Sequence, residues 1–482
     1  MTELCDLTAV ELRRLIGAKT ISPVELLESC LRRIEAVNPV LNAITATCID
    51  RARTEARAAE AAVMRGDRLG SLHGLPVGIK DLNETEGLRT TWGSPLYADY
   101  VPAKDERMVA AVRAAGAIVV GKTNVPEFGA GANTNNPVYG ATGNPFDPAR
   151  ICGGSSGGSA VALATAMLPI CTGSDTGGSL RIPAAFCGVV GFRPSPGLVP
   201  SEKRALGWTP ISVQGPMGRN VADTMLLLSA QVSGDSRDPF AHDVNAADFA
   251  APRPVDLAGL RVAISEDMGG MPLDDSLRAT FRERIALIEG CFKTAERRDP
   301  DMAGADEAFD VVRATSFLAQ HGERYAKSRD KLGPNLVANY EQGAKMTLAD
   351  AARAHMLQTR IYRAFQTFFD DVDILICPTV SVPPFPVAQR YATEVGGKTM
   401  ANYYHWLAPT YWLTLTGHPC ISIPCGLEPS GTPFALQICG PARADRFVLD
   451  VAHALEQRMA HDPRTARPLP DLAKLAAGRR PA

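Results

Sequence analysis

Excess charge of either sign is missing from this sequence: 50 Lys+Arg stand against 52 Asp+Glu, a net charge of −2. So balanced a chain offers phosphates no field, which excludes nucleic-acid binding by bulk electrostatics. Long apolar runs are missing too. The N-terminus, MTELCDLTAVELRRL, carries acidic residues, so neither a signal peptide nor a membrane span is expected and a cytoplasmic location is the default. Metal-ligand spacings are absent: the eleven cysteines include no C-x-x-C and the eight histidines no H-x-x-x-H, so nothing points to a metal. Without a secretion signal, scattered cysteines read as reduced thiols.

What is present is ordinary globular composition. The 482 residues are 45% hydrophobic with 42 Gly and 36 Pro, enough for a large core and, by length alone, for two or three domains. Residues 1–65 read as a helical clasp, because Thr8 with Glu11 and Ser22-Pro23 with Glu25 are capping boxes, the second followed by Leu27, Cys30, Leu31 and Ile34 at helical spacing. Short apolar runs then alternate with helical stretches: LPVGIKD at 75–81, a helix ending near Gly116, and AIVVG at 117–121. That alternation predicts an α/β fold with a sheet covered by helices. Residues 129–220 are dense in Gly, Ser, Thr and Pro but interleaved with apolar runs, the signature of buried turns near a site. Residues 221–370 read as a helical excursion. VDILICPTV, ISIPCG and FALQICG supply later strands, the last two as a pair, and a helix follows at about 443–459. The basic tail at 463–482 is expected to be flexible.

Two motif matches fail on context. GAIVVGKT at 116–123 fits a phosphate-loop pattern, but its variable positions are Ala, Ile, Val and Val, which form a strand and not a flexible turn. Ser328-Arg329-Asp330-Lys331 fits S-x-x-K, yet sits in a charged run without companion motifs. A third match, G-x-S-x-G within Gly154–Gly158, would be a nucleophile elbow with His405, His418 or His453 as base, but NPFDPARIC before it is a poor strand.

The same block, Cys152-Gly153-Gly154-Ser155-Ser156-Gly157-Gly158-Ser159, is followed by Gly173-Ser174-Asp175-Thr176-Gly177-Gly178-Ser179-Leu180-Arg181. Paired glycines before a serine let successive N–H groups turn toward one point, a concavity suited to a developing oxyanion. Either block alone could be a Gly-Ser turn. Together with a lysine in an apolar strand-like segment, Gly78-Ile79-Lys80-Asp81, they are specific.

With GKTNVPEFG at 121–129, GGSSGGSA at 153–160, GSDTGGSLRIPAAFCGVVGFRPS at 173–195 and GPMGRNVADTMLLL at 215–228, the chain resembles the amidase signature family of serine hydrolases over nearly its whole length. Cys152 departs from the family pattern, in which many members carry Pro. The resemblance implies a single large α/β domain over 1–482, with a mixed twisted multi-stranded sheet covered by helices on both faces. It implies a catalytic triad of Ser179 as nucleophile, Ser155 as a bridging hydroxyl after a cis peptide, and Lys80 as base. It implies an oxyanion hole from the amides of Thr176, Gly177, Gly178 and Ser179, with Ser156, Asp175 and Arg181 supporting the site. Chemistry agrees with that division: a serine hydroxyl needs an adjacent proton acceptor, and a lysine accepts a proton only when desolvation keeps it neutral.

The substrate is expected to be a small-molecule amide, ester or carbamate, with no cofactor, no nucleic acid and no membrane. A homodimer is allowed, though no sequence feature argues for one. Within the family the alternative is the glutamine-hydrolysing subunit of an amidotransferase, but the positions that would hold a zwitterion carry Gln358 and Leu407. In their place stands an aromatic run, Tyr403 to Trp412. Phe128, Gly129, Ala130, Trp208, Tyr403, Trp406, Leu407 and Trp412 are therefore the expected pocket residues, and an apolar or aryl amide the expected substrate. A catalytically inactive binding homologue is the remaining reading, which the intact Lys80, Ser155 and Ser179 oppose.

Overall fold

The structure, a computed structural model, describes residues 3–478. Its first segment is mostly helical: α1 (Ala9–Gly17), α2 (Pro23–Leu41) and α3 (Ile49–Arg65) surround one short strand, β1 (Ile44–Thr47). The Ser22–Glu25 capping box forms in full at α2, whereas at α1 Thr8 accepts the Glu11 amide without the reciprocal bond. The clasp thus also gives the sheet its edge strand.

The central strands follow the predicted order. β2 (Pro76–Lys80), α4 (Arg107–Ala114), β3 (Ile118–Thr123), α5 (Gly157–Ala164), β4 (Ile170–Asp175), α6 (Arg181–Cys187), β5 (Val190–Arg193) and β6 (Val213–Gly218) build one half of the sheet. The phosphate-loop lookalike is β3 itself, buried along its whole length. Beyond α7 (Val221–Gln231) the excursion is not purely helical. β7 (Arg261–Ile264) and β8 (Thr294–Arg297) flank α8 (Asp275–Ile288), and α9 (Ala305–Ser328), α10 (Pro334–Gly343) and α11 (Leu348–Asp371) follow. Val262, Ala263 and Ile264 form a fully buried apolar run, too short for sequence periodicity to reveal. The S-x-x-K lookalike lies at the exposed end of α9.

β9 (Ile374–Pro378), a two-stranded ribbon of β10 (Glu394–Val395) and β11 (Lys398–Thr399), α12 (Ala408–Thr416), β12 (Cys420–Leu427), β13 (Pro433–Cys439) and α13 (Asp445–Met459) complete the body. One sheet of 11 strands runs β1-β3-β2-β4-β6-β5-β12-β13-β9-β7-β8, parallel at β3-β2-β4 and β9-β7-β8 and antiparallel elsewhere. Such a mixed sheet buries both faces, which explains the continuous apolar runs of β2, β3, β9 and β13.

The tail does not behave as expected over its described part. Thr465 Oγ1 donates to Met459 O at 2.8 Å and Arg467 Nε to Gly188 O at 2.8 Å. α14 (Leu472–Ala477), capped by Asp471, buries Leu475 beside Val37 and Val40 of α2. Packing of Leu472 and Leu475 on the core outweighs the basic composition that suggested a flexible tail. Positions 479–482 lie outside the described residues. No described helix is long and apolar enough to cross a membrane.

Candidate active site

Lys80 is the last residue of β2 and Asp175 the last of its parallel neighbour β4, so both emerge at the carboxyl ends of adjacent strands, where open α/β sheets form their crevices. Lys80 is fully buried. Its backbone N–H donates to Thr172 Oγ1 at 3.0 Å. Its amine lies 2.9 Å from Ser155 Oγ, 2.8 Å from Ser156 Oγ and 2.9 Å from Ser174 Oγ, with Ser174 O at 3.3 Å. Burial pushes the amine down to about 7, against a partial pull upward from Asp175. The Gly154–Ser155 peptide is cis. Ser174 is the partner that sequence reasoning missed, although it stands in the same block, one residue before Asp175.

The other buried lysine, Lys122 on β3, differs in its surroundings. It bonds Asn83 O and Thr85 Oγ1, touches neither serine block, and is pushed down only to about 8 by burial.

Ser155, Ser174 and Ser179 all face one cavity of about 460 Å³, while Lys80 lies behind them. The two serine blocks are tied by Ser156 N–H donating to Ser179 O at 3.2 Å. Ser179 Oγ has no hydrogen-bond partner among the described residues.

The loop between β4 and α6 is shaped by Asp175. Its carboxylate accepts from the amides of Gly178 at 2.8 Å and Leu180 at 3.2 Å, and from Arg181 at 2.9 and 3.0 Å and Arg193 at 3.1 Å. Burial by itself would raise its pKa, but the two guanidiniums hold it well below the usual carboxylate range. Asp175 and Arg181, expected to support the site, form a fully buried ionic cluster with Arg193. One expectation changes as a result: the Gly178 amide is already bonded to Asp175 and cannot serve an oxyanion. The amides of Thr176, Gly177 and Ser179 have no partner among the described residues, and these three residues line the cavity.

Four of the expected pocket residues line that cavity: Phe128, Gly129, Tyr403 and Leu407. Ala130, Trp208, Trp406 and Trp412 do not. Trp406 is buried beneath the site, stacked on Phe186 with its indole N–H on Tyr403 O at 3.0 Å. Trp412 and Tyr411 both donate to Asp306 Oδ1 at 2.6 Å, so these aromatics serve the core. Ala130 is turned into a small apolar cluster with Phe317 and Leu336. Trp208 is 81% exposed, because its loop presents Leu206 and Thr209 to the cavity instead. The walls that sequence reasoning missed include Phe309, Arg313 and Phe317 of α9, whose spacing of four residues is a legible helical stripe.

The rival elbow finds no support in the structure. His405 bonds Asp310 at 2.9 Å, His418 bonds Gln366 at 2.9 Å, and His453 lies 3.8 Å from Glu456; none lines the cavity.

A buried lysine hydrogen-bonded to a cis-linked serine thus stands beside a second serine among free amides, at the carboxyl ends of two adjacent parallel strands. Residues 25–449 match the Amidase family, and the chain belongs to that family of amide-hydrolysing enzymes. It is 32% identical over 455 residues to an acylamidase of Rhodococcus erythropolis, covering 93% of this chain and 95% of that protein. It is 33% identical over 498 residues to one subunit of the glutamyl-tRNA(Gln) amidotransferase of Acidothermus cellulolyticus, covering 97% of each. A solved bacterial aryl acylamidase of the amidase signature family superposes with a TM-score of 0.87 at 26% identity, over 98% of this chain and 99% of that one.

Proposed function

We propose that this protein is a stand-alone amidohydrolase of apolar and aryl amides, acting through Ser179, Ser155 and Lys80. The observation that carries the reading is the buried Lys80 amine at 2.9 Å from Ser155 Oγ, with Ser155 and Ser179 opening on one cavity. Ser179 Oγ turns toward Ser155, passes its proton through that hydroxyl to Lys80, and attacks the substrate carbonyl. The oxyanion rests on the amides of Thr176, Gly177 and Ser179, donors of a kind worth about 100-fold to 1,000-fold each in turnover. Lys80 returns the proton through Ser155 to the leaving nitrogen, and the C–N bond breaks to give an acyl-Ser179. Water, deprotonated by the same route, then releases the acid. Esters and carbamates fit the same steps, since each presents a carbonyl with a displaceable group.

Leu82, Trp92, Phe128, Phe309, Phe317 and Leu407 give the cavity apolar walls suited to aryl or apolar groups. Gln358 donates to Leu415 O at 3.2 Å and lies outside the cavity. The test is a panel of p-nitroacetanilide, an aryl carbamate and glutamine on purified protein, read by product mass, with fluorophosphonate labelling of the nucleophile. The expected result is anilide cleavage and label on Ser179, lost in Ser179→Ala. Label on Ser156, or activity on glutamine alone, would overturn the proposal.

A further inference from the structure

Most charged side chains around the cavity are already engaged. Lys203 pairs with Glu84, Arg204 with Asp238 at 3.2 Å, and Glu106 accepts from the Asn83 side chain and from the Glu84 amide at 2.9 Å. Arg313 and Arg324, both on α9, line the cavity without an ion pair among the described residues. Arg313 is the buried one, 7% exposed. Its Nε donates to Asn339 Oδ1 at 2.8 Å and its Nη2 to Tyr403 Oη at 2.7 Å, both neutral acceptors. The rings of Phe317, Tyr404, Tyr403 and Phe309 surround it at 4.6, 5.0, 5.6 and 6.0 Å. The acid one turn away, Asp310, is taken by Tyr404 at 2.7 Å and His405 at 2.9 Å. Nη1 of Arg313 has no hydrogen-bond partner among the described residues.

This shell orients a guanidinium without neutralising it. A buried cation lacking a counterion is costly, and a bound anion relieves that cost. The planar fork suits a carboxylate in particular. The same positive field reaches His321, also on α9, which is pushed down to about 3 by burial first and then by Arg324 and Arg313. The reach is set by Phe309: a Cβ on Gly177 would lie 3.1 Å from its ring, so α9 touches the nucleophile loop there. Arg313 stands four residues further on, about 6 Å along the helix axis. Arg313 and Ser179 line the same cavity, so one substrate can reach both.

We propose that Arg313 anchors a substrate carboxylate, so that among aryl and apolar amides those also carrying a carboxylate a few carbons from the scissile carbonyl are preferred. The proposal rests on Ser179 acting as an amidase nucleophile. It is tested with two matched pairs, each an anion against a neutral compound of similar shape. Glutaranilic acid against 5-methylhexananilide places the charge on the acyl side, and 4-acetamidobenzoate against 4′-isopropylacetanilide places it on the amine side. In at least one pair the anion should have the higher kcat/KM by about tenfold or more, as expected for a charge-assisted hydrogen bond. Arg313→Met should reduce that ratio to near one, mainly through KM, and Arg313→Lys should restore part of it. Ratios near or below one for both pairs in the wild-type enzyme would overturn the anchor, as would an unchanged preference in Arg313→Met. If Arg313→Met does not fold, the wild-type ratios and competitive inhibition by glutarate decide: no preference and no inhibition refute the anchor. Cleavage of none of the four compounds would instead sink the amidase reading of Ser179, whereas cleavage of the neutral members without preference sinks the anchor alone.

Discussion

Lowering the pH through neutrality protonates the amine on which the proposed mechanism depends. An ordinary lysine is charged at pH 7, but burial brings Lys80 down to about 7, so that about half the molecules hold it neutral there. Relative to an unperturbed lysine, that is roughly a thousandfold more of the proton-accepting form at pH 7. The sign follows directly: kcat/KM should be near its plateau above pH 8, halve near pH 7, and fall about tenfold for each pH unit below about 6. The assay is kcat/KM for an uncharged anilide between pH 5 and 9, so that the substrate does not titrate. Glu106 also lines the cavity and is pushed up to about 7 by burial, so the profile must be repeated in Glu106→Gln. The midpoint should stay in that variant, and Lys80→Arg, which cannot deprotonate near neutrality, should lose at least about a thousandfold in turnover. A flat profile from pH 5.5 to 8, a midpoint that moves with Glu106, or an active Lys80→Arg enzyme would refute the reasoning.

Three further outcomes follow from the geometry. Asp175→Asn leaves two buried guanidiniums without their counter-charge and should destabilise the protein by about 3–5 kcal/mol, measured by urea unfolding; a loss under 1 kcal/mol would contradict the ionic cluster. Gly178→Ala should lower kcat sharply, because φ there is +120° and a Cβ would lie 2.2 Å from Thr410 Oγ1, distorting the loop that carries Ser179. Trp208→Ala should change stability by less than about 0.5 kcal/mol and leave anilide KM unchanged, since the ring is 81% exposed; a large rise in KM would place Trp208 on the substrate after all.

The residues proposed to carry the chemistry stand in blocks that their own local sequence marks. Lys80 stands in an apolar strand-like segment and two Gly-Ser blocks follow it, while the choice of Ser155 and Ser179 within those blocks came from the family resemblance. The strands β2, β3, β9, β12 and β13 were legible for a similar reason, as apolar runs bounded by Gly and Pro. What sequence could not supply was direction. The aromatic run from Tyr403 to Trp412 has the same composition whether its rings face a cavity or the core. Only packing shows that Trp406 and Trp412 turn inward to Tyr403 O and Asp306 while Tyr403 and Leu407 face the cavity. The Gly178 amide likewise looks like any oxyanion donor until Asp175 is seen to occupy it.

Residue order was enough to establish the fold class and to mark the lysine segment and the two glycine-serine blocks, because short-range periodicity and glycine placement constrain backbone and chemistry locally. Folding in three dimensions was needed to settle which amides remain free, which rings form walls, and that Arg313, 134 residues beyond Ser179 in the chain, faces the same cavity. Those properties depend on which surfaces meet across long sequence separations, and no local pattern encodes that.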